Sequence, residues 1–236
     1  SNSELIDTIN QEVKGVVLNE AGHLFSKVDY LIGNFLVKES GKGSETKPHQ
    51  DWTFVDESEN VSFNIWTGLH DISSREGNLF FVPGSHQFID SLRVSPHYPW
   101  CFDKVYDLLP HYWKEEPTLE GEGFVINHAC IHGATENLSG KPRVASVVAG
   151  FTANAQLLHY FMEKEFEVEK YFVTREDFIQ LKKDQRPEGL QPVSIESHDF
   201  KQIEKKAFFQ KILEEQADLK KVSAYFKSLW LNQKYA

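Results

Sequence analysis

The chain has 236 residues, 40% of them hydrophobic and 13% aromatic, which suits one sizeable core and argues against disorder over most of its length. A formal charge of -10 repels a phosphate backbone, making nucleic acid a poor partner, and two cysteines, Cys101 and Cys130, are too few for a disulfide-stapled secreted scaffold. No apolar run approaches the roughly 20 residues that span a bilayer, and the start lacks the basic-then-apolar pattern of a secretory leader, so a cytoplasmic setting without membrane contact is expected.

Leu5, Ile9, Val13, Val16 and Val17 recur near the helical period, so residues 4–27 read as helical. Residues 30–37 read as a buried strand, followed by a polar, glycine-containing loop over 39–47. Further strands are expected over 61–69, 78–82, 123–131 and 143–151, with turns at Pro83-Gly84-Ser85 and Asn137-Leu138-Ser139-Gly140. The irregular stretch 91–117 carries Tyr98, Trp100, Phe102, Tyr106, Tyr112 and Trp113, which suit either a lid or plain loop packing. Trp52 and Phe151 are further candidates for a cavity wall. Beyond residue 157 the pattern reads as helical, best over 205–231, where Phe208, Ile212, Leu219, Val222, Phe226 and Leu229 repeat. Asn60-Val61-Ser62 and Asn137-Leu138-Ser139 match the glycosylation sequon, but with no secretory signal both read as coincidence.

The expected fold class is therefore mainly β with flanking helices. It divides into an N-terminal helical segment (1–28), a β core (29–156) and a C-terminal helical extension (157–236) packing on the core.

The sharpest chemical signal is His49-Gln50-Asp51. Side chains two apart on a strand share a face, so an imidazole and a carboxylate can grip one ion from one side. Iron(II) oxygenases need that pair and a second histidine, with the remaining positions open. His132, at the end of the apolar run 124–131, is the preferred third ligand. His128 is its rival on the same stretch, read otherwise as a hydrogen-bonded neighbour or core residue. Cys130 reads as a small buried hydrophobe. After the turn at 137–142, Arg143 opens the next strand, and a hairpin would return it beside His132, placed to clamp a carboxylate through two parallel hydrogen bonds. Ala145, Val147 and Ala149 share its face and leave room for a small ligand. His23, His111 and His159 read as structural or surface residues.

Four segments in register resemble the phytanoyl-CoA dioxygenase family: His49-Gln50-Asp51, the run from Asn64 to Leu69, the run from Gly77 to His86, and Ile131-His132-Gly133 followed by Arg143. The resemblance extends over residues 30–151. It implies a double-stranded β-helix, a cupin-like jelly roll, with Fe(II) on His49, Asp51 and His132 and with 2-oxoglutarate as co-substrate, its far carboxylate on Arg143. Trp66, Asn34 and Gln50 match positions that contact the co-substrate, although alternation would turn Gln50 outward. The implied reaction hydroxylates a C–H bond of a small molecule with dioxygen, releasing succinate and carbon dioxide. A carboxylate at Asp51 leaves no vacancy for halide, so hydroxylation is expected over halogenation. Ala134 departs from relatives that carry a hydroxyl two residues past the second histidine. Two other classes stay in view: a cupin-like protein using a different metal, and a protein-modifying or non-catalytic relative docking through its C-terminal helices. The sequence leaves the oligomeric state open.

Overall fold

A computed structural model describes residues 2–88, 91–95, 100–164, 166–181 and 185–214. Helix α1 (Asn2–Ala21) leads through a single 3-10 turn into eight strands: β1 (Val28–Lys38), β2 (Thr46–His49), β3 (Ser62–Gly68), β4 (Leu79–Phe81), β5 (Lys114–Glu116), β6 (Gly123–Asn127), β7 (His132–Ala134) and β8 (Arg143–Thr152). They form two four-stranded sheets in the orders β1-β8-β3-β6 and β2-β7-β4-β5, with every pair antiparallel. Strands dealt between two sheets, alternately except for the adjacent β4 and β5, make the double Greek key of a jelly roll. The protein is mainly β, as expected. Among the described residues no helix is long and apolar enough to cross a membrane.

Period-two alternation assigns the two faces of the first sheet. Phe63, Ile65 and Val148 point outward beneath Val13 and Val17 of α1. Their neighbours Asn64, Trp66, Val147 and Ala149 line the interior, together with Asn34, Leu36 and Lys38 of β1. Asn10 Oδ1 of α1 accepts from the Gly33 N–H at 2.8 Å, tying the helix to β1. β1 was expected to be buried throughout, yet Phe35, Leu36 and Val37 are exposed, because β1 lies at the sheet edge with only β8 beside it.

The run 123–131 is not one strand. Asn127 stops it: its carbonyl accepts from the Cys130 N–H at 2.8 Å and its side-chain oxygen accepts from the Ala129 N–H at 2.8 Å, a local turn that competes with the sheet ladder. The chain then crosses to the second sheet, so His132 begins β7 rather than ending β6. Arg143 and His132 are consequently not hairpin partners. They face each other from opposite sheets.

The helical expectation beyond residue 157 is also corrected. β9 (Leu158–Lys164), β10 (Glu167–Phe172) and β11 (Ser194–Ser197) form a third antiparallel sheet in the order β11-β10-β9, with the short helix α2 (Arg175–Gln180) between β10 and β11. Core contact decides it: Leu158, Phe161, Val168 and Tyr171 are buried, and Leu157, Phe161, Tyr171 and Val173 join Leu31, Phe54, Ala149 and Phe151 of the jelly roll in one core. Residues 205–214 are helical as expected, with Phe208 and Ile212 packed against Phe102, Val105, Leu109 and Ile131. The rest of the expected helix, including Leu219, Val222, Phe226 and Leu229, lies outside the described residues, as does Tyr98.

Candidate active site

β2 and β7 lie side by side with His49 directly opposite His132 in the ladder. The two rings sit 4.4 Å apart between centroids, as cross-strand pairing requires. β2 ends at His49, so Asp51 is not a strand residue and strand alternation does not explain its aim. The chain turns after His49, and the Asp51 N–H donates to the His128 carbonyl at 2.9 Å, which brings the carboxylate back toward both rings. Asp51 lies 3.8 Å from His49 Nε2 through Oδ1 and 3.8 Å from His132 Nε2 through Oδ2. One ligand atom from each of the three residues falls within 4.8 Å of the others.

The imidazoles are set for coordination. His49 Nδ1 lies 2.8 Å from the Lys47 carbonyl and His132 Nδ1 lies 2.9 Å from the Cys130 carbonyl. A carbonyl can only accept, so each Nδ1 carries the proton and each Nε2 presents a lone pair inward. Burial, with His132 alongside, pushes the His49 imidazole below its usual range, favouring the neutral ring. Burial alone would raise the Asp51 carboxyl, but positive charge taken up on the facing His132, His128 and His49, together with that of Arg93, holds it below its usual range. Two imidazole nitrogens and one carboxylate form a donor set that suits a divalent first-row metal.

Asp51 is held from several sides. Asn64 Nδ2 donates to its Oδ2 at 2.9 Å, and His128 Nε2 stands 3.9 Å from the same oxygen. His128 is buried against Phe54, with Nδ1 3.0 Å from Ser62 Oγ, and burial pushes its imidazole down to about 4. It belongs beside Asp51, outside the cluster of three. Arg93, fully buried, donates through Nε to the Asp51 carbonyl at 2.8 Å and through both terminal nitrogens to Glu57 at 2.5 and 2.6 Å. Nothing local in the sequence marks Arg93 or Glu57, because their role depends on loops meeting in space. Asn64 was legible in principle, two residues from Trp66 on the same strand face.

Two cavities meet at the cluster. One, of about 660 Å³, runs between the sheets and is lined by His49, Asp51 and His132 at one end and Arg143 at the other, with Trp66 and Asn34 on its walls. Arg143 is 4% exposed and lies 5.5 Å over the Trp66 ring. It donates to the Gly77 carbonyl at 2.8 Å, while its Nε has no partner. Gly77 sits at φ +87°, where a Cβ would come within 2.5 Å of the Thr135 carbonyl, so only glycine fits there. The second cavity, of about 610 Å³, opens on the other side of Asp51 between Trp52, Phe54, Trp100 and Phe178.

Gln50 does not turn outward. It is buried, donates to the Ala129 carbonyl at 2.6 Å and lines this second cavity, away from Arg143. Phe151 belongs to the core and lines neither of these two cavities. Of the aromatics described in 91–117, Trp100 reaches the site, whereas Phe102 is fully buried, Tyr112 packs on Phe208, and Trp113 stacks on Phe80 outside the second sheet. Cys130 is buried as expected, and Asn137 of the second sequon is wholly buried, its amide donating to the Lys38 and Lys141 carbonyls.

Comparison with known proteins bears on the same residues. The profile of the family "Phytanoyl-CoA dioxygenase (PhyH)" matches residues 3–145. "Phytanoyl-CoA dioxygenase 1" of Oryza sativa subsp. japonica is 32% identical over 134 residues, 52% of this chain and 46% of that protein. "Phytanoyl-CoA dioxygenase domain-containing protein 1" of Danio rerio is 38% identical over 53 residues, 22% of this chain and 18% of that protein. The chain thus spans less than half the length of these curated relatives. Among solved structures, the epimerase SnoN in complex with Fe3+, alpha ketoglutarate and nogalamycin RO superposes with a TM-score of 0.48 at 17% identity, covering 88% of this chain and 73% of that one.

Proposed function

The chain belongs to the phytanoyl-CoA dioxygenase family, and on that premise we propose that it is an Fe(II)- and 2-oxoglutarate-dependent dioxygenase that hydroxylates a C–H bond of a small molecule. The observation that carries the reading is one cavity with a His49-Asp51-His132 cluster at one end and a buried, incompletely paired Arg143 at the other. When bound, iron and 2-oxoglutarate supply oxidation of the substrate C–H bond by dioxygen, with release of succinate and carbon dioxide.

The protein supplies placement and shielding. His49, Asp51 and His132 would hold the metal. Asn64 and His128 fix the Asp51 carboxylate, and Arg93 fixes its backbone. Arg143 grips the far carboxylate of the co-substrate, and Trp66 gives that pocket an apolar wall that excludes water. Asn34 borders the same space, whereas Gln50 serves the substrate side. The substrate enters the second cavity, where Trp52, Phe54, Trp100 and Phe178 select an apolar or aromatic, largely uncharged molecule. Lys47 is the sole basic side chain, histidines aside, among the described residues lining it, which offers little to the phosphates of a coenzyme A thioester.

The test is anaerobic addition of Fe(II) and then 2-oxoglutarate, followed by visible spectroscopy and a substrate screen scored by succinate. A weak charge-transfer band that needs both additions, and is lost in His132→Ala, is the expected result. Absence of the band in the wild-type protein would overturn the reading.

A further inference from the structure

The proposed function uses one cation for the far carboxylate, but the fold presents two. Lys38 of β1 stands directly opposite Arg143 of β8 in the sheet register. Their side chains lie on the interior face and line the same cavity. Both are buried, at 7% and 4% exposure. Like charges opposed across a ladder destabilise a sheet, and burial removes the water that would screen them.

Among the described residues the close partners of the pair are backbone carbonyls. Lys38 Nζ donates to the Ser44 carbonyl at 2.6 Å and the Thr135 carbonyl at 3.2 Å. Arg143 donates to the Gly77 carbonyl. Among the described residues neither has a carboxylate within ion-pair distance. Carbonyl dipoles disperse charge without cancelling it. The consequence is visible in the Lys38 ammonium, which burial and Arg143 together pull down to about 8 against a weaker opposing pull from Glu45.

Donor arithmetic then points to a ligand. An ammonium has three N–H groups and a guanidinium five. Lys38 keeps one after its two carbonyls, and Arg143 keeps several, including the unpartnered Nε. Ala134, which lines the same cavity, is buried and has no side-chain donor.

We propose that Lys38 is a second anchor for the far carboxylate of 2-oxoglutarate, opposite Arg143. This rests on the reading that 2-oxoglutarate is the co-substrate. A purely structural Lys38, pinning residues 44 and 135, is the competing explanation, and the two part company on ligand selectivity and on the stability of the ligand-free protein.

The experiment titrates 2-oxoglutarate and 2-oxobutyrate, which keeps the keto-acid end but lacks the far carboxylate, into anaerobic Fe(II) protein. Affinities are read from the charge-transfer band and by calorimetry for wild type, Lys38→Met and Lys38→Gln. Glutamine retains donors for the two carbonyls while removing the charge, so it covers the case in which methionine does not fold. We expect both variants to lose about 10- to 100-fold in 2-oxoglutarate affinity while 2-oxobutyrate changes by less than about 2-fold. The ligand-free melting temperature should rise in Lys38→Gln, since an opposed charge has been removed. Equal losses on both keto acids, or no loss on either, would overturn the anchor while leaving the oxygenase reading intact. A wild-type protein that binds no 2-oxoglutarate would overturn both.

Discussion

Replacing Glu57 with glutamine would leave the Arg93 guanidinium buried without its carboxylate. In the native chain Arg93 is 1% exposed and donates to both Glu57 oxygens at 2.5 and 2.6 Å, with its Nε on the Asp51 carbonyl and its Nη1 also on the Ser91 carbonyl. Breaking a fully buried pair by removing one partner costs about 3–5 kcal/mol. The Glu57 side chain is 24% exposed, so water recovers part of that, and a cost of about 2–3 kcal/mol is expected. For a chain of this size the melting temperature should fall by about 5–10 °C. Metal affinity, measured by cobalt(II) titration, should fall roughly tenfold although Glu57 is not a ligand, because Arg93 steadies the Asp51 backbone. An Arg93→Met, Glu57→Leu double variant should regain much of the stability but not the metal affinity, since apolar residues can fill the volume but cannot bond the Asp51 carbonyl. A Glu57→Gln protein melting within about 2 °C of wild type would refute the reasoning, by showing that backbone carbonyls alone satisfy the guanidinium.

Asp51→Ala should abolish hydroxylation, scored as succinate formation with a substrate from the screen; unchanged turnover would remove Asp51 from the ligand set. Phe178→Ala should raise the substrate KM about tenfold or more through lost apolar contact, with 2-oxoglutarate affinity unaltered in the spectroscopic titration. His159 is buried and burial pushes its imidazole down to about 4, so the unfolded chain takes up a proton first as pH falls. Stability is therefore full above about pH 6.5 and is lost progressively toward pH 4, and His159→Phe should flatten that slope in melts run across the window. Gly133→Ala puts a methyl within 2.3 Å of the Phe80 ring and 2.5 Å of the Thr46 carbonyl, and chemical denaturation should report a loss of about 1–3 kcal/mol.

The jelly-roll strands were legible where turn residues bracket alternating runs, as over residues 61–69 and 143–151, because local pattern and burial there agree. Reading failed at Asn127, whose side-chain hydrogen bond ends a run that looks continuously apolar. It failed again after residue 157, where Phe161 and Tyr171 belong to strands that only the core contact with Leu31 and Phe54 distinguishes from helix. At the site, the residue types and order of His49, Asp51, His132 and Arg143 were readable, but the supporting geometry was not. The pairing of His49 with His132 and the opposition of Lys38 to Arg143 are facts of register, and Arg93 and Glu57 meet across loops. A sequence pattern carries chemistry along the chain; it does not report which strands become neighbours.

The pairing of β2 with β7 has a practical corollary. A chelate whose two nitrogens are fixed by a backbone ladder closes on whichever divalent ion arrives, since little of its shape depends on the guest. Nickel and copper bind such nitrogen-rich sites more tightly than ferrous iron does. Protein recovered over immobilised nickel should therefore be stripped with chelator and reloaded under anaerobic conditions before any assay, or an inert ion will masquerade as an inactive enzyme.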